Sequence, residues 1–166
     1  MNLILMGVAG SGKTTVGEKL APALGPGWRF DDADDFHPAA NVEKMRRGIP
    51  LEDADRWPWL DALRAHLDAC ASRGESVVLA CSALKEPYRR RLALARGPSR
   101  FIHLRADPAT LRRRLAARRD HYMAADLLDS QLATLEEPAP GAALIVDATR
   151  APDDIVRRIV AALSEN

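Results

Sequence analysis

Residues Gly7-Val8-Ala9-Gly10-Ser11-Gly12-Lys13-Thr14 follow directly on the apolar run Leu3-Ile4-Leu5-Met6. The octet fits the phosphate-binding pattern G-x-x-x-x-G-K-[ST], and a strand before it and an amphipathic helix after it are the context that pattern requires. Glycines allow a tight turn in which successive N–H groups converge on phosphate oxygens, and the next helix adds the positive end of its dipole. Gly7, Ala9, Gly10, Ser11, Gly12, Lys13, Thr14 and Thr15 are therefore the expected nucleotide-binding set. Lys13 is expected to act in catalysis by reaching the β- and γ-phosphates, and the Thr14 hydroxyl to ligate Mg²⁺. The octet predicts a nucleoside triphosphate ligand.

A chain of 166 residues suits one domain, 1–166, with a core buried between sheet and helices. Lys and Arg total 24 against 23 Asp and Glu, a formal charge of +1, so no overall field draws the chain to nucleic acid or to an anionic membrane. No run approaches the ~18 apolar residues of a membrane span, and the first six residues are too short for the apolar part of a signal peptide. Cys70 and Cys81 form no C-x-x-C pair and show no histidine partner at zinc spacing. They are expected to be buried, reduced thiols of a cytoplasmic protein.

Apolar spacing places helices over 14–24, 57–71, 108–118 and 127–135, and a C-terminal one through Ile155, Ile159, Val160 and Leu163. Pro58 suits a first helical turn, and Asp107-Pro108 reads as a cap followed by a helix start. Strands are expected at the N-terminal run and over 29–31, 76–81, 101–104 and 143–147, the third with the continuous apolar character of a buried parallel strand. Strands and helices alternate without a linker or repeat. The predicted fold is α/β, a doubly wound parallel five-stranded sheet flanked by helices, with ligands at the carboxyl ends of the strands.

The acidic segment Asp31-Asp32-Ala33-Asp34-Asp35 follows the second strand and should face the γ-phosphate. A hydroxyl attacking that phosphate needs a base or an orienting group, and Mg²⁺ needs an oxygen ligand, direct or through water. On extended chain Asp32 and Asp34 point one way, Asp31 and Asp35 the other. His37 follows as a candidate substrate contact. Arg56 either holds a substrate anion in a planar fork or pairs with Asp53 or Asp55. Trp57 and Trp59 read as core or interface aromatics. The third strand ends without the aspartate that many P-loop proteins use for magnesium, which leaves the metal to Thr14 and Asp32. Ser82, Lys85 and Arg89 come next, where an acceptor should lie, although Lys85 also fits an ordinary surface lysine. Arg114 and Arg118 lie four apart on one helix face within a candidate lid, about 112–127. Kinases of this size commonly cover the triphosphate with such a segment, and Arg118, then Arg114, is the candidate to close over it. A solvated basic helix is the alternative.

Together these segments resemble the gluconate kinase (gluconokinase) family of small P-loop kinases, related in fold to shikimate kinase and the nucleoside monophosphate kinases. The resemblance rests on Gly7–Thr14, Asp32-Ala33-Asp34-Asp35-Phe36-His37-Pro38, Asp53-Ala54-Asp55-Arg56-Trp57-Pro58-Trp59-Leu60, Cys81-Ser82-Ala83-Leu84-Lys85, Tyr88-Arg89 and Leu127-Leu128-Asp129-Ser130-Gln131. It runs in order along nearly the whole chain. Ala33 stands where the family usually has Gly, and Tyr122 where Phe is common. The resemblance implies ATP-dependent, Mg²⁺-requiring phosphorylation of the 6-hydroxyl of D-gluconate, commonly by a homodimer, with a helical lid. It also implies that Asp34 orients or deprotonates the hydroxyl, that Asp32 holds Mg²⁺ through water, and that Asp34, His37, Arg56, Ser82, Lys85 and Arg89 contact the substrate. The rival readings are a kinase for another small hydroxy acid such as shikimate and a nucleotide-binding module without acceptor chemistry. A nucleotide acceptor fits less well, because a second phosphate would call for cations where this chain is acidic.

Overall fold

The computed structural model of the chain describes residues 1–117 and 124–165. Strands β1 (Asn2–Met6), β2 (Trp28–Asp32), β3 (Ser76–Ala80), β4 (Ser99–Arg105) and β5 (Leu144–Asp147) form one sheet in the order β2-β3-β1-β4-β5. Every pairing is parallel, with Leu3 opposite Val78 on one side of β1 and Arg100 on the other. All five residues of β1 are buried. Because successive side chains of a strand face opposite ways, Leu3 and Leu5 meet α1 (Lys13–Ala23) and α7 (Pro152–Ser164), while Ile4 and Met6 meet α3 (Asp53–Ser72) and α4 (Glu86–Ala93). Both faces are thus covered, which is why β1 and β3 read as unbroken apolar runs. A smaller cluster, Val8, Leu84, Leu111, Leu115 and Leu128, seats α5 (Pro108–Ala116) and α6 (Ala124–Thr134) beside the P-loop.

The predicted fold class is the observed one. Differences lie at element ends and in two short helices, Ala39–Arg46 and α4, that the apolar spacing did not place. Helix α3 starts a turn earlier than expected, because Glu52 and Asp55 form a capping box with Glu52 N–H donating to Asp55 Oδ2 at 2.9 Å. Pro58 therefore lies inside the helix, where it cannot donate to the carbonyl one turn back. The face of α3 carrying Leu60, Leu63 and Leu67 is fully buried, and each such leucine is worth about 2 kcal/mol of transfer free energy. Asp107 caps α5 as expected, accepting from Thr110 N–H at 2.8 Å. A short helix α2 (Ala39–Arg46), whose one buried residue is Asn41, was not signalled by apolar spacing. Cys70 and Cys81 are free and buried, and burial pushes the Cys81 thiol up to about 12.

Candidate active site

The P-loop leaves the carboxyl end of central strand β1, at the point where the sheet order changes direction, which is the expected ligand position in an open α/β sheet. A side chain on Gly7, whose φ is 143°, would come within 2.8 Å of the Leu104 carbonyl, so only glycine lets the loop turn back between β3 and β4. Three loop N–H groups are already engaged: Gly7 with the Ser82 carbonyl (3.2 Å), Ala9 with Gln131 Oε1 (2.6 Å) and Ser11 with the Val8 carbonyl (3.2 Å). Gly10 and Gly12 donate to no carbonyl among the described residues. The N–H groups of Thr14 and Thr15 open α1, where intrahelical acceptors are lacking. Lys13 Nζ donates to the Gly7 and Val8 carbonyls, at 2.9 and 3.1 Å, and so lies across the loop. The loop and its surroundings line a cleft of about 420 Å³ with Asp32, Asp34, Ser82, Leu127 and Gln131. A hollow of about 390 Å³ lies at the other end of the sheet, between the starts of β4 and β5 and the end of α7, away from these groups.

Asp32 has two tasks. Its Oδ2 accepts from the Thr14 hydroxyl at 2.9 Å, and its Oδ1 accepts from Asp34 N–H at 3.1 Å. The second bond starts a 3-10 turn, Ala33–Phe36, so the extended alternation expected through Asp35 stops at β2. The turn is fixed from beneath: Ala33 is fully buried and its carbonyl accepts from Trp59 Nε1 at 2.7 Å. Asp32 and Asp34 still share the cleft, while Asp31 turns away to Arg29 and His66. Asp34 projects into the open cleft with 86% of its side chain accessible. Desolvation by the cleft walls and the charge of Asp32 raise its pKa, and His37 and Lys13 draw it down.

His37 is oriented on three sides. Its ring stacks on Trp59 (centroids 4.4 Å apart, 12° between planes), Asn41 Nδ2 lies 3.3 Å from Nδ1, and Nε2 is 3.8 Å from Asp34 Oδ1. Since Asn41 Nδ2 can only donate, Nδ1 accepts and the neutral ring carries its proton on Nε2, toward Asp34. Burial holds the His37 pKa below its usual value and Arg56 adds to that, against the pull of Asp34.

The alternative partners of Arg56 are both occupied. Asp53 Oδ1 accepts from Lys85 Nζ (2.9 Å) and from the Tyr88 hydroxyl, and Asp55 takes Lys44 at 2.7 Å. Arg56 is left with the Leu51 carbonyl at 3.4 Å and the face of the Tyr88 ring, 5.7 Å from its centroid. Its guanidinium forms no ion pair with a carboxylate among the described residues. Lys85 is thus a partner of Asp53, and Trp57 packs edge-on against Tyr88. Arg89 is buried and donates to the Ala83 and Leu84 carbonyls at 3.0 and 3.1 Å. It holds the loop after β3, where Ala83 has a φ of 44°, a conformation unusual for a residue with a side chain. That geometry fixes the Arg89 guanidinium, through Nη1, on the loop that follows Ser82. Arg114 donates to the Ala148 carbonyl (2.7 Å) and lies 3.5 Å from that of Gly10, so it ties the P-loop to the segment after β5. Arg118 and the middle of the candidate lid lie outside the described residues.

Gln131, which the sequence marks only as part of the motif 127–131 and with no role there, lines the cleft. It reaches from α6 to Ala9. Gln131→Ala should leave the Ala9 N–H unpaired and raise the KM for ATP about tenfold, the order expected for one lost partner of a partly buried donor. Steady-state kinetics with ATP varied would show it, and an unchanged KM would make Gln131 mere packing.

Residues 3–138 match the profile of a family described as an AAA domain. A gluconokinase of Gluconobacter oxydans is 45% identical, the alignment covering 95% of this chain and 88% of that one. A probable gluconokinase of Xenopus tropicalis is 43% identical, covering 96% and 91%. A gluconokinase of Sinorhizobium meliloti, known by crystal structure, superposes with a TM-score of 0.86 at 42% identity, covering 99% of this chain and 91% of that one. Identity at this level, carried over both chains on one shared architecture, places the chain in the gluconokinase family.

Proposed function

We infer that this chain transfers the γ-phosphoryl group of ATP, in line, to the 6-hydroxyl of D-gluconate, releasing ADP and 6-phospho-D-gluconate. The observation that carries this reading is the arrangement beside the P-loop: a carboxylate, Asp34, open to the cleft, and beyond His37 a guanidinium, Arg56, in no ion pair among the described residues. Gluconate has the complementary ends, a hydroxyl to be activated and a carboxylate to be held. Asp34 orients the hydroxyl and takes its proton as it attacks, with His37 Nε2–H and Ser82 beside it to fix the polyol. Lys13 offsets charge on the transferring group. Thr14, and Asp32 through water, would hold Mg²⁺. A hydroxyl and a carboxylate oxygen 2.9 Å apart are hard donors, few in number, as suits an ion that keeps waters and phosphate oxygens for its other positions. When bound, that ion would neutralise charge on the phosphate oxygens. Arg118, with Arg114 as second choice, closes over the triphosphate in this proposal. No helix among the described residues is long and apolar enough to cross a membrane. A cytoplasmic homodimer acting on a small molecule, with no nucleic-acid partner, completes the reading.

The test is ADP release measured over gluconate, shikimate, other sugar acids and nucleoside monophosphates. Gluconate should give the highest kcat/KM. Turnover indifferent to every acceptor would mean a nucleotide-binding module without acceptor chemistry. Arg56→Lys should raise the gluconate KM about tenfold, since a point charge cannot reproduce the planar fork, and leave the ATP KM unchanged. An effect confined to ATP would move Arg56 to the nucleotide side.

A further inference from the structure

His66 and Cys70 stand one turn apart on α3, a spacing that puts both on one face of the helix. Opposite them lies Asp31 of β2. His66 Nε2 is 2.9 Å from Asp31 Oδ2 and 3.5 Å from Cys70 Sγ, and the three atoms all lie within 4.8 Å of one another. A tetrahedral ion with bonds of ~2.0–2.3 Å sets its ligand atoms about 3.3–3.6 Å apart; the His66–Cys70 pair already has that spacing, and the His66–Asp31 contact must open slightly to reach it. The expectation that Cys70 has no histidine partner at zinc spacing is corrected: His66 stands four residues before it, and the third group, Asp31, comes from a strand 35 residues before His66.

From this geometry we propose that Asp31, His66 and Cys70 form a second metal site, separate from the phosphate cleft, that takes a borderline-soft divalent ion of the zinc class. One sulfur, one imidazole nitrogen and one carboxylate oxygen are donors suited to zinc and poorly suited to magnesium. Each ligand is held by a neighbour, as metal ligands generally are. Arg29 binds Asp31 Oδ1 at 2.7 Å and leaves Oδ2 aimed at His66. Arg73 Nη2 donates to Cys70 Sγ at 3.3 Å and to Glu75 Oε2, while Arg73 Nε donates to Glu75 Oε1. The Phe36 ring lies against His66 with 4.7 Å between centroids. With the thiol ionised, Asp31, Glu75 and Cys70 outnumber Arg29 and Arg73 by one negative charge, so a dication is not repelled. Arg73 and Glu75 form the outer wall, with 50% and 35% of their side chains accessible, and an exposed pair of this kind opens readily in water. A bound ion would clamp β2 to α3 directly behind Asp32 and the turn that carries Asp34. Such a site would stabilise the fold rather than enter the reaction.

The full-length chain, stripped of metal, is titrated with Co²⁺ at mildly alkaline pH. One equivalent should produce a thiolate-to-cobalt charge-transfer band in the near ultraviolet together with the visible bands of a tetrahedral ion, and Zn²⁺ should displace both. Zn²⁺ should also raise the thermal midpoint. Cys70→Ser and His66→Asn, each checked for native circular dichroism, should abolish the band and weaken zinc binding by at least ~10-fold, the smallest loss that even an outer-shell change brings. Thr14→Ala removes a hydroxyl from the phosphate site and should leave the band in place. The proposal fails if the unsubstituted chain gives no charge-transfer band, or if the band survives both Cys70→Ser and His66→Asn. None of these readouts depends on gluconate turnover.

Discussion

Lys13→Ala lowers kcat by at least ~10²-fold, on the scale of one lost electrostatic contact to the transferring group. Lys13 is the side-chain cation that the P-loop itself supplies, and its ammonium spans the mouth of the loop on the Gly7 and Val8 carbonyls. Two effects follow from its removal. The two carbonyls lose a donor, which loosens the loop and raises the KM for ATP; Lys13→Met, which lacks donor and charge but keeps the bulk of the side chain, shows how much of the loss is mere packing. The lost charge acts on Asp34 as well. Lys13 is one of the groups drawing the Asp34 pKa down, so without it that pKa rises further and the acid limb of the kcat–pH profile moves to higher pH. Near-native kcat in Lys13→Ala would remove the P-loop lysine from the catalytic step.

The fold was legible because the chain states it twice. Met1-flanked β1 and the run 77–80 are apolar on both faces, as only strands covered by helices on both sides can be, and the octet 7–14 then fixes which end of the sheet binds the ligand. The phosphate side of the site was legible for the same reason, since its residues are adjacent in sequence. The acceptor side was less so. Whether Arg56 was free depended on Lys44, Lys85 and Tyr88 reaching the competing carboxylates, contacts that join residues 11 to 35 apart. Arg89 reads in sequence as a cation available to substrate, and nothing in the sequence signals that its Nη1 also holds two backbone carbonyls of the turn at Ala83. Helix α2 escaped notice because it buries only Asn41, so no apolar period marks it. Gln131 lies 122 residues from the amide that it pairs with, and nothing in its own segment points to the P-loop.

Asp34→Asn should reduce kcat by about 10²–10⁴-fold, the range for a lost general base or orienting group, while ATP binding survives. The substitution is mild in structure. The 3-10 turn is held by the backbone N–H of Asp34 on Asp32 Oδ1 and by the Ala33 carbonyl on Trp59, neither of which involves the Asp34 side chain. Asp35 lies on the same turn and is exposed, outside the cleft lining. Asp35→Asn should therefore change kcat by less than ~3-fold, as surface substitutions do. The pH profile supplies an independent sign. In the proposed reaction Asp34 works as the carboxylate, and its pKa stands above the ordinary aspartate value of 3.8. Activity is therefore lost as pH falls through that raised value, at a higher pH than an unperturbed aspartate would give, and the residual rate of Asp34→Asn should lack this limb. Removing the neighbouring charge by Asp32→Asn should lower the Asp34 pKa and move the limb down. Equal losses from Asp34→Asn and Asp35→Asn would show that the turn as a whole, and not the carboxylate beside the P-loop, sustains the reaction.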